Sequence, residues 1–362
     1  MRKEGRSIRK INSREDVRSK ARERALAMRS SKRESLFHSK RFRESSGSPT
    51  HESIRASDAS CTFNTETAAG AEASLDAILQ DIGQALQAAQ GDVAAGLHAM
   101  HNLRRVLSRP NPPIGAVVDL NVMTELVLFL QTPSPQMRSE VTWVLTNMAS
   151  GGNDATLHVL PSAPLIIKVI QEGDIALASQ GWWALGNIAG DSEQCRGYLR
   201  RIGSLSAAMS SLQRAHTALG AAQDIQQAWK LCRVVVWALC NLARGGATPF
   251  QDFLDHGLIP VLVELLGCSD TETRQEVLWA LAFLSAKEEA AVGCLISEHS
   301  LHRRLCQGAS SQTNFSDSTS VALLRCLGNL STGPLEWVDA LVQEPALLPL
   351  LCSVVACDTS HR

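Results

Sequence analysis

The chain has 362 residues, is 44% hydrophobic and carries a formal net charge of −1. It holds no apolar run near the ~18–20 residues that span a bilayer, so it reads as soluble and no membrane partner is expected. The small net charge hides a division: residues 1–45 hold 16 Lys/Arg against 6 Asp/Glu, and the remainder holds 19 against 30.

A basic arm is therefore tethered to an acidic body. The arm, 1–45, opens with a loose RKEGRSIRK segment and reaches a helix start at Ser13, where Glu15 and Asp16 suit a first turn. The residues from there to about Arg41 are mostly helix formers, basic all round, with a thin apolar set of Val17, Ala21, Leu26, Met28, Leu36 and Phe37. Such a helix buries too little to fold alone and is expected to order on an acidic partner. A solvated basic tail and a nucleic-acid-binding arm are the competing readings. The acidic residues of the arm count against a transit peptide.

Residues 46–74 are rich in Ser, Thr, Gly and Ala without periodicity and are predicted to be a flexible linker. From about 75 to 362 the pattern is helical. Leu75–Gln90 and Val93–Leu107 show i, i+3, i+4 apolar spacing, and the Pro-rich stretch after Ser108 breaks the second. Later units repeat one grammar: a short helix, an apolar helix such as Leu258–Leu266, a polar turn, then a helix bearing Trp. In LGCSDTETRQEVLWALAFLS, Ser269 or Thr271 is the expected N-cap.

That third helix carries a repeated pair four residues apart, Trp143/Asn147, Trp183/Asn187 and Trp237/Asn241, with relatives at Trp279/Phe283 and Arg325/Asn329. Residues four apart share one helix face. The steps are 40, 54, 42 and 46 residues, the period of a stacked helical solenoid. The expected fold is all-α: an armadillo-repeat, right-handed superhelical solenoid of about six repeats, preceded by the arm and linker. The long step carries extra residues at 212–227, expected to emerge as a loop. One repeated helix lining a concave surface gives a ladder of indoles and carboxamides. An Asn amide can hold a peptide's N–H and C=O, and adjacent indoles make slots for Lys or Arg stems. The ligand this chemistry suits is an extended basic peptide. Trp182 and Trp229 fall outside the ladder and read as packing residues.

On these residues the chain resembles the importin α family, through TWVLTNMASG, WALGNIAGDSEQCRGYL and the arm segment SREDVRSKARERALAMRSSKRESLFHSKRF. The resemblance implies a nuclear import adaptor shuttling between cytoplasm and nucleus, with nuclear localisation signals and importin β as partners. By position it implies a major signal-binding site of Trp143, Asn147, Gly151, Thr156, Trp183, Asn187, Asp191, Trp237 and Asn241. Asp191, Thr156 and the Gly151 carbonyl match the pocket for the signal's key lysine. Arg244, Glu272 and Glu276 match the groove between sites, and Trp279, Phe283, Arg325 and Asn329 match the start of a minor site. The importin-β-binding arm would use Arg14, Arg18, Lys20, Arg22, Arg24, Arg29, Lys32, Arg33, Lys40 and Arg41. Lys40-Arg41-Phe42-Arg43 is the candidate autoinhibitory cluster, interrupted by Phe42. The family continues for further repeats beyond the position of Arg362, so the chain looks C-terminally truncated beside it, with a partial minor site and an open apolar end.

Two other classes compete. A non-transport armadillo scaffold, its arm binding nucleic acid or acidic surfaces, leaves the repeated Trp/Asn pair without a purpose. An enzyme is not expected, since no P-loop, GxSxG or HExxH is found. The ten cysteines form no CxxC and read as reduced thiols, so neither a metal nor a cofactor is expected.

Overall fold

The computed structural model describes residues 68–310 and 317–359, and every regular element among them is a helix. Two helices come first, α1 (Ala68–Ala89) and α2 (Val93–Leu107). Three-helix units follow: α3 (Ile114–Asp119), α4 (Met123–Leu130) and α5 (Pro135–Ala149), then α6 (Asn153–Val159), α7 (Ala163–Glu172) and α8 (Ile175–Asp191). The next are α9 (Glu193–Arg201), α10 (Ser204–Gly220) and α11 (Ile225–Ala243), then α12 (Phe250–Asp255), α13 (Leu258–Leu265) and α14 (Thr271–Leu284). The last described are α15 (Glu289–Ser297), α16 (Leu301–Ser310) and α17 (Asp317–Leu330), with α18 (Leu335–Val342) and α19 (Leu347–Thr359) beyond them.

The third helices α5, α8, α11 and α14 each start on a side-chain cap. Ser134 Oγ accepts from Met137 N at 3.2 Å, Asp174 Oδ1 from Leu177 N at 2.8 Å, Asp224 Oδ1 from Gln227 N at 3.4 Å and Asp270 Oδ1 from Thr273 N at 2.8 Å. These caps satisfy amides that the first turn leaves open. Past the cap the helices are buried on every side: Val141 to Ala149 in α5, Ala184 to Gly190 in α8, Val234 to Ala243 in α11 and Glu276 to Leu284 in α14. An all-round buried helix is one sandwiched between neighbours. Here the neighbours are other third helices, because α2, α5, α8, α11, α14 and α17 pack in that order. Their stacking is the spine of the solenoid.

Three boundaries differ from the sequence expectation. The first helix begins at Ala68, inside the stretch predicted as linker, because AAGAEAS is rich in the best helix formers. The cap of α14 is Asp270, flanked by Ser269 and Thr271 and sitting in extended conformation at φ −79°, ψ 112°. The extra residues at 212–227 lengthen helices: α10 runs on to Gly220 and α11 opens at Ile225, with Ala222 (φ 51°) and Asp224 (φ 42°) making the turn. A cleft of 630 Å³ opens beside this longer pair, lined by Met209, Leu212, His216, Trp229, Cys232 and Leu265 among others. Among the described residues, most of the cysteines are buried. No single described helix is long and apolar enough to cross a membrane.

Candidate functional site

The ladder's asparagines set the register between units. Asn147 Nδ2 donates to Leu107 O, Asn187 Nδ2 to Thr146 O and Asn241 Nδ2 to Gly186 O, each at 2.9 Å. Asn329 Nδ2 donates to Ala282 O at 2.9 Å and lies 3.0 Å from Ser285 Oγ. In each case the acceptor stands three residues after the preceding rung: Thr146 follows Trp143, Gly186 follows Trp183, Ala282 follows Trp279 and Leu107 follows Arg104. All four amides are buried. A hydrogen bond in such an interior is costly to lose, so each one fixes how a third helix sits on the last. The pattern read from sequence gave no sign of this helix-to-helix role.

The aromatic rungs occupy different environments. Trp183 is half-buried, whereas Trp143, Trp237 and Trp279 are buried. Trp237 lies directly against Gly186, where an added Cβ would come within 2.2 Å of Trp237 Cζ3. Trp279 and Phe283 pack with ring centroids 6.1 Å apart, tilted by 31°. The guanidinium carbon of Arg104 lies 4.9 Å from the Trp143 ring centroid, and that of Arg325 lies 5.9 Å from Trp279. Arg104 precedes Trp143 by 39 residues, one repeat, so it takes the rung position on α2. The row thus begins and ends on arginines that face the adjacent indole, an attraction of roughly 0.5–2 kcal/mol each. Counting back one period would have found Arg104 in the sequence.

Asp191, at the end of α8, meets the start of α6. Asn153 Nδ2 donates to Asp191 Oδ2, and Cys195 Sγ lies 4.0 Å from the same oxygen. Thr156 is buried, with Oγ1 within reach of Ala149 O at 3.3 Å and Gly152 O at 3.2 Å, which closes the loop through Gly151. A Cβ at Gly151 would meet Ile114 at 3.0 Å and Met148 O at 3.2 Å. The predicted trio therefore falls at one corner between α5, α6 and α8, and Asn153 joins it unannounced. Two guanidiniums serve the end of α8: Arg196 Nη1 donates to Ala189 O at 3.0 Å and Arg244 Nη1 to Gly190 O at 3.4 Å. Cations there complement the negative end of the helix dipole.

Farther along, Glu276 is buried and Glu272 is exposed, its Oε2 accepting from Arg233 Nη1 at 2.6 Å. Arg233 also lies 3.5 Å from Asp270. Trp182 is buried, with Nε1 donating to Ser211 Oγ at 2.8 Å, and Trp229 packs against the core. Both are packing residues. The arm positions from Arg14 to Arg41, and the cluster Lys40 to Arg43, lie outside the described residues.

Residues 110–150 and 250–286 match the Armadillo/beta-catenin-like repeat. Curated relatives include importin subunit alpha-1b of Oryza sativa subsp. japonica, 31% identical over 75% of this chain and 49% of that protein. Importin subunit alpha-6 of Arabidopsis thaliana is 35% identical over 52% of this chain and 34% of that protein. The chain carries armadillo repeats and is similar in sequence to importin α subunits. It spans about half the length, or less, of the importin α subunits that it matches. Among solved structures, its armadillo solenoid is similar to a designed armadillo repeat protein in complex with the peptide (KR)4, at TM-score 0.60 and 22% identity. That likeness covers 69% of this chain and 98% of the other. Computationally designed armadillo repeat proteins for modular peptide recognition align at TM-score 0.60 and 19% identity, over 69% of this armadillo chain and 99% of theirs.

Proposed function

We propose that this chain is a nuclear import adaptor whose ladder groove binds extended Lys/Arg-rich nuclear localisation signals, and whose arm, 1–45, couples the cargo to importin β. The observation that carries this reading is the register of the ladder. Four asparagines repeat the same bond to the helix before, which holds the Trp/Asn faces in one row past the Asp191 corner. A row with a fixed repeat suits a ligand with a fixed repeat, and an extended peptide has one. The two intramolecular arginine–indole pairs support the cationic side of the ligand, since the rungs already face guanidinium groups in this chain. A carboxylate at Asp191 then favours lysine or arginine over neutral side chains. The similarity to importin α subunits adds the transport context and shuttling between cytoplasm and nucleus.

In this reading Trp183, the half-buried rung, is an anchor. Trp183→Ala in the full chain should cost about 2 kcal/mol or more, the level of a Trp hot spot, or roughly thirtyfold in affinity for a labelled Lys/Arg-rich peptide. An unchanged affinity would remove the groove from the account. The same titration run with and without residues 1–50 tests whether Lys40-Arg41-Phe42-Arg43 competes for the groove. Equal affinities would mean that it does not.

A further inference from the structure

Away from the ladder, α15 ends in a cluster that the groove does not use. Cys294 and Glu298 stand four apart, so they share one face across the helix end, and Glu298 is the C-cap residue, its N–H donating to Cys294 O at 3.0 Å. His299 follows at once. Ser300 then adopts φ 50°, in the left-handed region, with its N–H donating to Ile296 O at 3.2 Å, and the chain turns into α16. The turn brings a thiol, a carboxylate and an imidazole together, with one ligand atom of each within 4.8 Å of the others. Cys294 is half-buried. His299 Nε2 is shielded from solvent and has no hydrogen-bond partner among the described residues. A shielded ring nitrogen left unbonded is costly unless something takes its lone pair.

We propose that Cys294, Glu298 and His299 form a zinc site. Zinc sits about 2.3 Å from thiolate sulfur, about 2.0–2.1 Å from imidazole nitrogen and about 2.0–2.2 Å from carboxylate oxygen. In tetrahedral coordination two such ligand atoms stand about 3.4–3.6 Å apart, so the three side chains, now within 4.8 Å of one another, would draw closer around the ion. A thiolate beside an imidazole selects a borderline-soft ion over calcium or magnesium. Binding replaces the Cys294 thiol proton by the metal and releases that proton to solvent. Three protein ligands leave a fourth position for water or a partner's side chain. Trp337 of α18 packs on Gly293, beside Cys294, so the ion would brace the joint between α15 and the following unit. The inference is independent of the groove's ligand. It revises the sequence expectation of no metal, because a Cys-x3-Glu-His run is not a spacing that zinc motifs use.

The test uses the full chain, freed of metal. Zinc is titrated against a chromophoric chelator, and cobalt(II) is added separately to read its thiolate charge-transfer absorption. The site predicts one equivalent of zinc, a cobalt–thiolate band and a melting temperature raised by zinc. Cys294→Ser should abolish the band, His299→Gln should weaken zinc at least tenfold, and Cys268→Ser should change neither. No stoichiometric binding by the parent chain, a band that survives Cys294→Ser, or zinc affinity indifferent to both ligand substitutions overturns the proposal. The parent's own cobalt spectrum decides the matter even where a variant fails to fold, with circular dichroism reporting the fold of each.

Discussion

At the residue scale, the small residues of the ladder matter as much as the large ones. WALGN reads as a binding motif because Trp and Asn catch the eye, yet Gly186 makes the stacking possible. Its missing Cβ leaves room for Trp237, whose ring is fully buried and has nowhere to retreat. Gly186→Ala should therefore destabilise the chain by about 1–3 kcal/mol, the usual cost of overpacking. Denaturant or thermal unfolding would register this as a lower midpoint, and an unchanged midpoint would mean that the two helices are free to separate. Trp183 was legible in the sequence because its spacing from Asn187 repeats, whereas Asp191 stood out only through the resemblance to importin α. Asn153 was not legible, since its bond to Asp191 crosses between helices and leaves no period to read.

At the element scale, helix pairs are joined by bonds that the sequence pattern does not encode. The clearest is between α2 and α5, where Arg104 Nε donates to Glu140 Oε2, His101 Nδ1 lies 3.5 Å from Glu140 Oε1, and the Arg104 guanidinium also covers Trp143. Burial alone would raise the Glu140 carboxyl. The hydrogen bond with His101 and the charges of Arg104 and His101 outweigh it and hold the group below its ordinary 4.5. A depressed folded value means that the clasp adds stability above about 4.5 and that this contribution is lost as pH falls through the lower, folded value. Glu140→Gln should flatten the acid limb of a stability–pH curve, and an acid limb identical to the parent's would show that the clasp contributes nothing. Element types and order were readable from periodicity, caps and prolines. The course of residues 212–227 was not, because LQRAHTALG contains no breaker before Gly220 and an insertion without one extends the helices that flank it.

At the scale of the whole molecule, one physical idea joins fold and site. Third helices buried on all sides stack with one Asn-to-carbonyl bond at each of four joints, and the same stacking sets a row of indoles along the solenoid. The fold class was legible because a repeat of about 42 residues with one Trp per unit allows few architectures. The arm's basic excess over an acidic body was equally plain in the composition. Peptide capture by such a surface is steered by charge and weakens as salt rises. The most direct test is the affinity of the full chain for a single-cluster Lys/Arg-rich peptide, measured beside Asp191→Lys at one salt concentration. The account predicts binding at micromolar or tighter concentration for the parent and its loss in the variant, where repulsion replaces attraction. A folded parent that ignores the peptide, or a variant that binds it equally well, would contradict the groove.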